Sequence, residues 1–118
     1  MEPACTFNHE DLMERTGHDH EFAAELINIF LPQSPRLLND IRSAACGDDS
    51  AALVSAAHAL RGCLATLSAT QALKTATILE AMGRERNMKA APQTCDILST
   101  ELSALKSDLS AFAHEIYS

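Results

Sequence analysis

An imidazole, a guanidinium and a glycine fall within one helical turn in the run Ala57-His58-Ala59-Leu60-Arg61-Gly62. On a helix, positions i, i+3 and i+4 share a surface, so His58, Arg61 and Gly62 face the same way. Imidazole is largely neutral, and therefore nucleophilic, around neutral pH. A phosphoryl group placed on it would bring about two negative charges. Arg61, one turn along, is placed to hydrogen-bond those oxygens. Gly62 costs a helix about 1 kcal/mol relative to alanine, a cost that makes sense if a side chain there would block an approaching partner. The trio therefore predicts a phosphoryl group carried on His58. Blander readings stay open: an ordinary surface histidine, an Arg61 paired with a neighbouring acid, and a Gly62 that permits close helix packing.

The helix that must position them reads from about Asp49 to Ser68. At about 100° per residue, Leu53, Ala56, Leu60, Cys63, Leu64 and Leu67 gather on one side. His58 points the opposite way, flanked by Ala51, Val54, Ser55, Arg61, Gly62 and Ala65. Ala51, Ala65 and Ala69 extend a flat, low surface, Val54 adds an apolar contact, and a patch of this kind suits a protein partner. The expected docking residues are Ala51, Val54, Ser55, Gly62, Ala65 and Ala69. Nothing on this helix offers a second nucleophile, a paired acid or metal ligands. The other reacting group and any electrophilic metal must come from elsewhere, which points to a carrier docking onto a catalytic partner rather than a self-contained enzyme.

Four more helical stretches are predicted. Asn8 to Thr16 forms the first, capped by Asn8 and stopped by Gly17. The second starts near Asp19 with Phe22, Leu26, Ile29 and Phe30, and continues through Leu37, Leu38, Ile41 and Ala45. Pro32 and Pro35 divide it, predicting a kink or a restart with Ser34 as cap and Pro35 in the first position. A helix from about Thr70 to Arg86 turns Leu73, Thr77, Glu80 and Met82 inward and loosens over Gly83 to Lys89. The last starts near Pro92 and repeats Leu98, Leu102, Leu105, Leu109, Phe112 and Ile116, a seam of bundle periodicity. The expected fold is all-α: an antiparallel up-down four-helix bundle with a short additional N-terminal helix. Residues 1–6 are expected as a tail and residues 7–118 as one domain.

Composition agrees. The 118 residues contain 4% aromatics, no Trp, four Gly and four Pro, too few turn formers for an all-β fold. A formal net charge of −7 disfavours nucleic acid and anionic membrane surfaces as partners. No apolar run approaches the roughly 18 residues of a membrane span, and the acidic start is no signal peptide. Cys5, Cys46, Cys63 and Cys95 lack ligand spacing and are expected as reduced structural thiols in a cytosolic setting. His9, His18 and His20 are expected in caps and on the surface, not as metal ligands, and His114 near the end of its helix. Gln71 and Lys74 are candidates for the rim of the docking surface, and Glu80 for a structural or rim position.

The stretch Ala57-His58-Ala59-Leu60-Arg61-Gly62, followed by Leu67, resembles the histidine-containing phosphotransfer (HPt) domain of bacterial phosphorelays, whose usual pattern is His-x-Leu-Lys-Gly. The resemblance spans nearly the whole chain. Phe22 to Leu31 is similar to the family's second helix, Gly47-Asp48 to its turn before the histidine helix, and Leu79-Glu80 to its fourth-helix pattern. The resemblance implies that His58 accepts a phosphoryl group from a receiver-domain aspartyl phosphate and passes it to another receiver aspartate. It also implies that Mg²⁺ belongs to the receiver, with no cofactor intrinsic to this chain. Implied partners are response-regulator receivers and a hybrid histidine kinase. Arg61 replaces the commoner Lys, Cys63 a frequent Ser, and Ser68 a frequent second Gly.

The expectation is a monomeric, cytoplasmic phosphoryl carrier with no turnover of its own. The sequence is compatible with a stand-alone protein and with the terminal module of a hybrid sensor kinase. Two rival readings are a helical adaptor that docks receivers or kinases without phosphorylation, and a dimerisation bundle that buries its outer patch.

Overall fold

The computed structural model describes the backbone of residues 6–117 and the side chains of residues 6–115. Five helices follow one another: α1 (His9–Arg15), α2 (His20–Cys46), α3 (Ser50–Thr66), α4 (Thr70–Glu85) and α5 (Ala91–Tyr117), and the described residues form no strand. Side chains start the first three: Asn8, Asp19 and Asp49 accept from the backbone N–H of Asp11, Phe22 and Ala52. Each satisfies one of the orphan donors at a helix start. α2 and α5, 27 residues each and so about 40 Å long, set the 45 Å long dimension of the molecule.

The long helices close a ring of neighbours: α2 packs on α3 and α5, and α4 packs on α3 and α5. The seam read from α5 lies inside this ring, with Leu98, Leu102, Leu105 and Leu109 buried and Phe112 packed against them. From α3 come Leu53, Ala57, Leu60 and Leu64. Ala57 thus belongs to the core stripe, while Ala56 and Cys63, expected there, lie half-buried at its edges. The side chain of Ile116 and residues 1–5, including Cys5, lie outside the described residues. Thr6, counted with the tail, is buried, and its hydroxyl donates to Asp108 Oδ2 at 2.6 Å. Cys46, Cys63 and Cys95 are free thiols.

α2 departs from expectation. It does not restart at its prolines: Pro32 and Pro35 lie inside one continuous helix, and Ser34 is a buried interior residue rather than a cap. Proline removes the hydrogen bond to the carbonyl four residues back. Both rings lie on the exposed side, and the freed carbonyls belong to exposed Asn28 and half-buried Leu31, where water can reach them. On the other side Ile27, Phe30, Leu37 and Ile41 run unbroken into the core. Burial of four large side chains, about 1.5–3 kcal/mol each, outweighs the two lost bonds.

α4 is also turned from its expected setting. Thr77 is exposed, and the buried stripe is Ala72, Thr75, Ala76, Leu79, Glu80 and Gly83. Gly83, expected to loosen the helix, is where α4 comes closest to α3. A Cβ built there would stand 2.7 Å from Val54 Cγ2 and 2.9 Å from the Ser50 carbonyl oxygen. Gly83→Ala is therefore expected to destabilise the fold by about 1–3 kcal/mol through overpacking, despite alanine's better helix propensity. Urea denaturation followed by circular dichroism checks it; an equal or higher midpoint would contradict the close packing.

Candidate functional site

His58 sits in the middle of α3 with its side chain 66% exposed. Ala57, which precedes it, and Leu60, two residues on, are buried, so the backbone beneath the imidazole is anchored on the core. Ala51, Ser55, Ala59 and Gly62 are exposed around it. Around a Cβ built on Gly62 there is nothing within 4 Å. The close-packing explanation of Gly62 therefore fails, and the glycine leaves open space beside the histidine. Gly62→Ala is expected to raise folding stability by about 0.5–1 kcal/mol, read as a higher melting temperature. An unchanged or lower value would show that the site tolerates no methyl group.

Across the α3–α4 interface stands Glu80, buried at 3% exposure. Arg61 Nη1 donates to its Oε1 at 2.7 Å, and Arg84 Nη2 donates to its Oε2 at 2.6 Å. His58 Nδ1 lies 3.4 Å from the same Oε2. That distance is long for a hydrogen bond but short for a charge interaction. The hydrogen bond from Arg84 holds the Glu80 carboxyl below the usual carboxylate range, with the charges of Arg61, Arg84 and His58 acting in the same direction against its burial. Two guanidiniums around one carboxylate leave the cluster net positive in a chain of charge −7.

The geometry distinguishes the two imidazole nitrogens. A carboxylate beside Nδ1 favours the tautomer with the proton there. Nε2 then keeps its lone pair, on a side chain that is mostly exposed. An exposed nucleophilic nitrogen backed by a buried anion can accept an electrophile while the positive charge that develops on the ring is partly balanced.

Not every residue expected around His58 is there. Ala69 is fully buried and caps α4, so it is removed from the docking face. The reason is the end of α3: a 100° wheel carried past Thr66 no longer describes a chain that turns through Leu67 and Ser68. Ser68 has φ of 57°, the left-handed conformation that favours glycine. It is held by a 2.5 Å hydrogen bond from its hydroxyl to Asp11 Oδ2, and its carbonyl accepts from Asn8 N–H at 2.9 Å, which fastens α1 onto the turn. Val54 and Ala65 are half-buried, Val54 against Gly83. Gln71 and Lys74 are exposed on α4. Glu80, expected in a structural or rim position, connects the site's charged groups, and Arg84 is a member that spacing on α3 could not reveal.

Beyond Gly62 the surface continues onto α2. Leu26, Ile29, Phe30 and Gln33 form a groove with Cys63 and Thr66 of α3. Ile29 and Phe22 are 57% and 44% exposed. On the other flank Ser55 and Ala59 border a second groove with Arg36 and Asp40. No cluster of three His, Cys, Asp or Glu side chains suited to a metal ion occurs among the described residues, and none of their helices is long and apolar enough to cross a membrane.

Residues 25–115 match the model of the Hpt domain. The chain belongs to the Hpt family. It is similar in fold to the crystal structure of histidine-containing phosphotransfer protein B (HptB) from Pseudomonas aeruginosa PAO1. That match has a TM-score of 0.87 at 18% identity, covering 96% of this chain and 98% of the other. A comparison with curated protein sequences finds no match. Hpt domains are phosphotransfer carriers rather than enzymes, and they interact with receiver domains in phosphorelays. The five-helix, all-α architecture agrees with that membership.

Proposed function

We propose that His58 of this Hpt domain is the phosphoacceptor, taking a phosphoryl group from the aspartyl phosphate of one receiver and delivering it to the aspartate of another. The observation that carries this reading is the asymmetry of the imidazole. Nδ1 lies 3.4 Å from a buried carboxylate, which leaves Nε2 as the nitrogen free to react on a side chain 66% exposed, beside a glycine that leaves open space. In the transfer the Nε2 lone pair forms a bond to phosphorus. The bond from phosphorus to the aspartyl oxygen breaks, and its electron pair returns to the carboxylate. The Nδ1 proton stays on the ring, whose new positive charge faces Glu80. Reversal restores the neutral imidazole.

Arg61 orients the phosphoryl oxygens by leaving Glu80, which keeps Arg84 as a partner. Mg²⁺ belongs to the receiver. The four long helices form an antiparallel up-down bundle that holds α3 rigid, α1 covers one end, and the domain works as a cytoplasmic monomer receiving from a hybrid histidine kinase. Ala51, Ser55 and Gly62, with the edges of Val54 and Ala65, form the docking face, which extends over Ile29 and Phe22. The open space left by Gly62 beside the imidazole allows in-line approach of the donor.

The test mixes the protein with a phosphorylated receiver and Mg²⁺. Acid-labile, base-stable phosphate mapping to His58 is expected. Receiver binding without label would make the chain an adaptor. A concentration-dependent dimer in sedimentation that shields His58 would make it an oligomerisation module.

A further inference from the structure

Glu80 Oε2 has two suitors. Arg84 Nη2 holds it at 2.6 Å, and His58 Nδ1 waits at 3.4 Å. Oε1 is separately taken by Arg61 at 2.7 Å. Arg84 lies one helical turn from Glu80 on α4, with its side chain 62% exposed, so it contributes charge to the site without filling the core. On α3 the charged group beside His58 is Arg61. From α2, Arg36 and Asp40 border the groove next to Ser55 and Ala59, but they face each other at 3.8 Å, and Asp49 is engaged at the α3 N-cap. The balance at the imidazole is therefore set by Glu80 and its two cations, of which Arg84 shares the oxygen nearest Nδ1.

We propose that Arg84 is a positioning residue that competes with His58 for Glu80 Oε2 and thereby sets how readily the imidazole ring carries positive charge. This deepens the phosphoacceptor reading and rests on it for its consequence in transfer. With Arg84 present, the ring faces a carboxylate already neutralised by two guanidiniums. Without Arg84, Oε2 is free to accept a hydrogen bond from Nδ1–H, and a positive ring is favoured. In phosphohistidine the bond from Nε2 to phosphorus breaks to water, the electron pair returning to Nε2, far more easily when Nδ1 is protonated. Arg84 accordingly lengthens the life of the phosphorylated state and keeps Nε2 nucleophilic at lower pH.

The experiment compares wild type, Arg84→Met and Arg84→Lys in the full chain. The His58 ring proton is followed by NMR across pH and assigned against a His58→Gln sample. Arg84→Met is expected to move the titration midpoint of His58 upward by about half a unit to one unit, and Arg84→Lys to bring it back to near wild type. After phosphorylation with phosphoramidate, the phosphohistidine of Arg84→Met is expected to hydrolyse about threefold faster near neutral pH, matching a larger protonated fraction. An unmoved or lowered midpoint in Arg84→Met, or an Arg84→Lys displaced as far as Arg84→Met, overturns the proposal. The titration needs no phosphoryl transfer, so it decides Arg84's role even if wild type takes no phosphoryl group from a receiver and the phosphoacceptor reading falls.

Discussion

His58→Gln is expected to abolish phosphoryl uptake while leaving the fold intact. The imidazole is mostly exposed, and surface substitutions away from special features change stability by no more than about 0.5 kcal/mol. The glutamine amide keeps polarity and approximate size but has no nucleophilic lone pair, because its nitrogen is conjugated with the carbonyl. Receiver binding should survive, since the docking face around Gly62 and over Ile29 and Phe22 is unchanged in the variant. Phosphate transfer from a labelled receiver is the measurement, with melting temperature as the control. Exposed His9, His18, His20 and His114 remain in the variant as internal competitors. They lack a buried carboxylate of the Glu80 kind among the contacts described. Label appearing on any of them at the wild-type rate would sink the assignment of His58.

The helices were legible because each buries one face, so the apolar period survives in the chain even where local chemistry argues otherwise. α5 shows this in Leu98, Leu102, Leu105 and Leu109, and α2 shows its limit. Two prolines are a strong local stop signal, yet whether their freed carbonyls meet water or core depends on which side of a folded helix they occupy. That is a tertiary fact. The histidine site divides in the same way. His58, Arg61 and Gly62 are neighbours on one helix, so spacing alone related them. Glu80 lies 19 residues beyond Arg61 and meets it only because α3 and α4 pack together.

A signal for Glu80 nevertheless existed. Ala72, Ala76, Leu79 and Gly83 repeat at helical spacing, and Glu80 falls inside that stripe. A carboxylate on a core-facing stripe requires paired cations. Arg84, four residues on, supplies one within the helix, and the other had to come from a neighbouring helix. The inward set of Leu73, Thr77, Glu80 and Met82 includes Glu80 but is centred off the true stripe, with Thr77 exposed and Leu73 and Met82 half-buried, so the depth of the carboxylate's burial does not show in it. Ala69 failed for a different reason, because helix geometry does not extend through a turn whose Ser68 adopts a left-handed backbone.

Glu80→Gln is expected to act on stability and on chemistry together, in ways that separate the two. Removing one member of a buried ion pair costs about 3–5 kcal/mol when the partner charge stays buried. Here Arg61 and Arg84 are 39% and 62% exposed and can turn to water. The loss should therefore be nearer about 1–3 kcal/mol, the cost of disturbed hydrogen bonds. The pH dependence carries a definite sign. Glu80 has a lowered folded pKa, so its contribution is whole above about pH 4.3, the ordinary glutamate value, and is lost as pH falls through the lowered one. From about pH 6 to about pH 3, wild type should lose more stability than Glu80→Gln in denaturation experiments. Asp11, whose carboxyl is likewise held low by Ser68 and Arg15, is common to both proteins and cancels in the comparison. For the chemistry, loss of the anion moves the His58 titration downward, opposite to Arg84→Met, and leaves the positive charge of the phosphorylated ring unbalanced. Uptake should slow by about tenfold if that balance is worth about 1.4 kcal/mol in the transition state. A Glu80→Gln protein with a weakened fold but wild-type transfer kinetics would reduce Glu80 to a structural anchor. Altered kinetics at full folding would instead place it in the transfer chemistry, with the buried carboxylate acting on phosphorus through the imidazole.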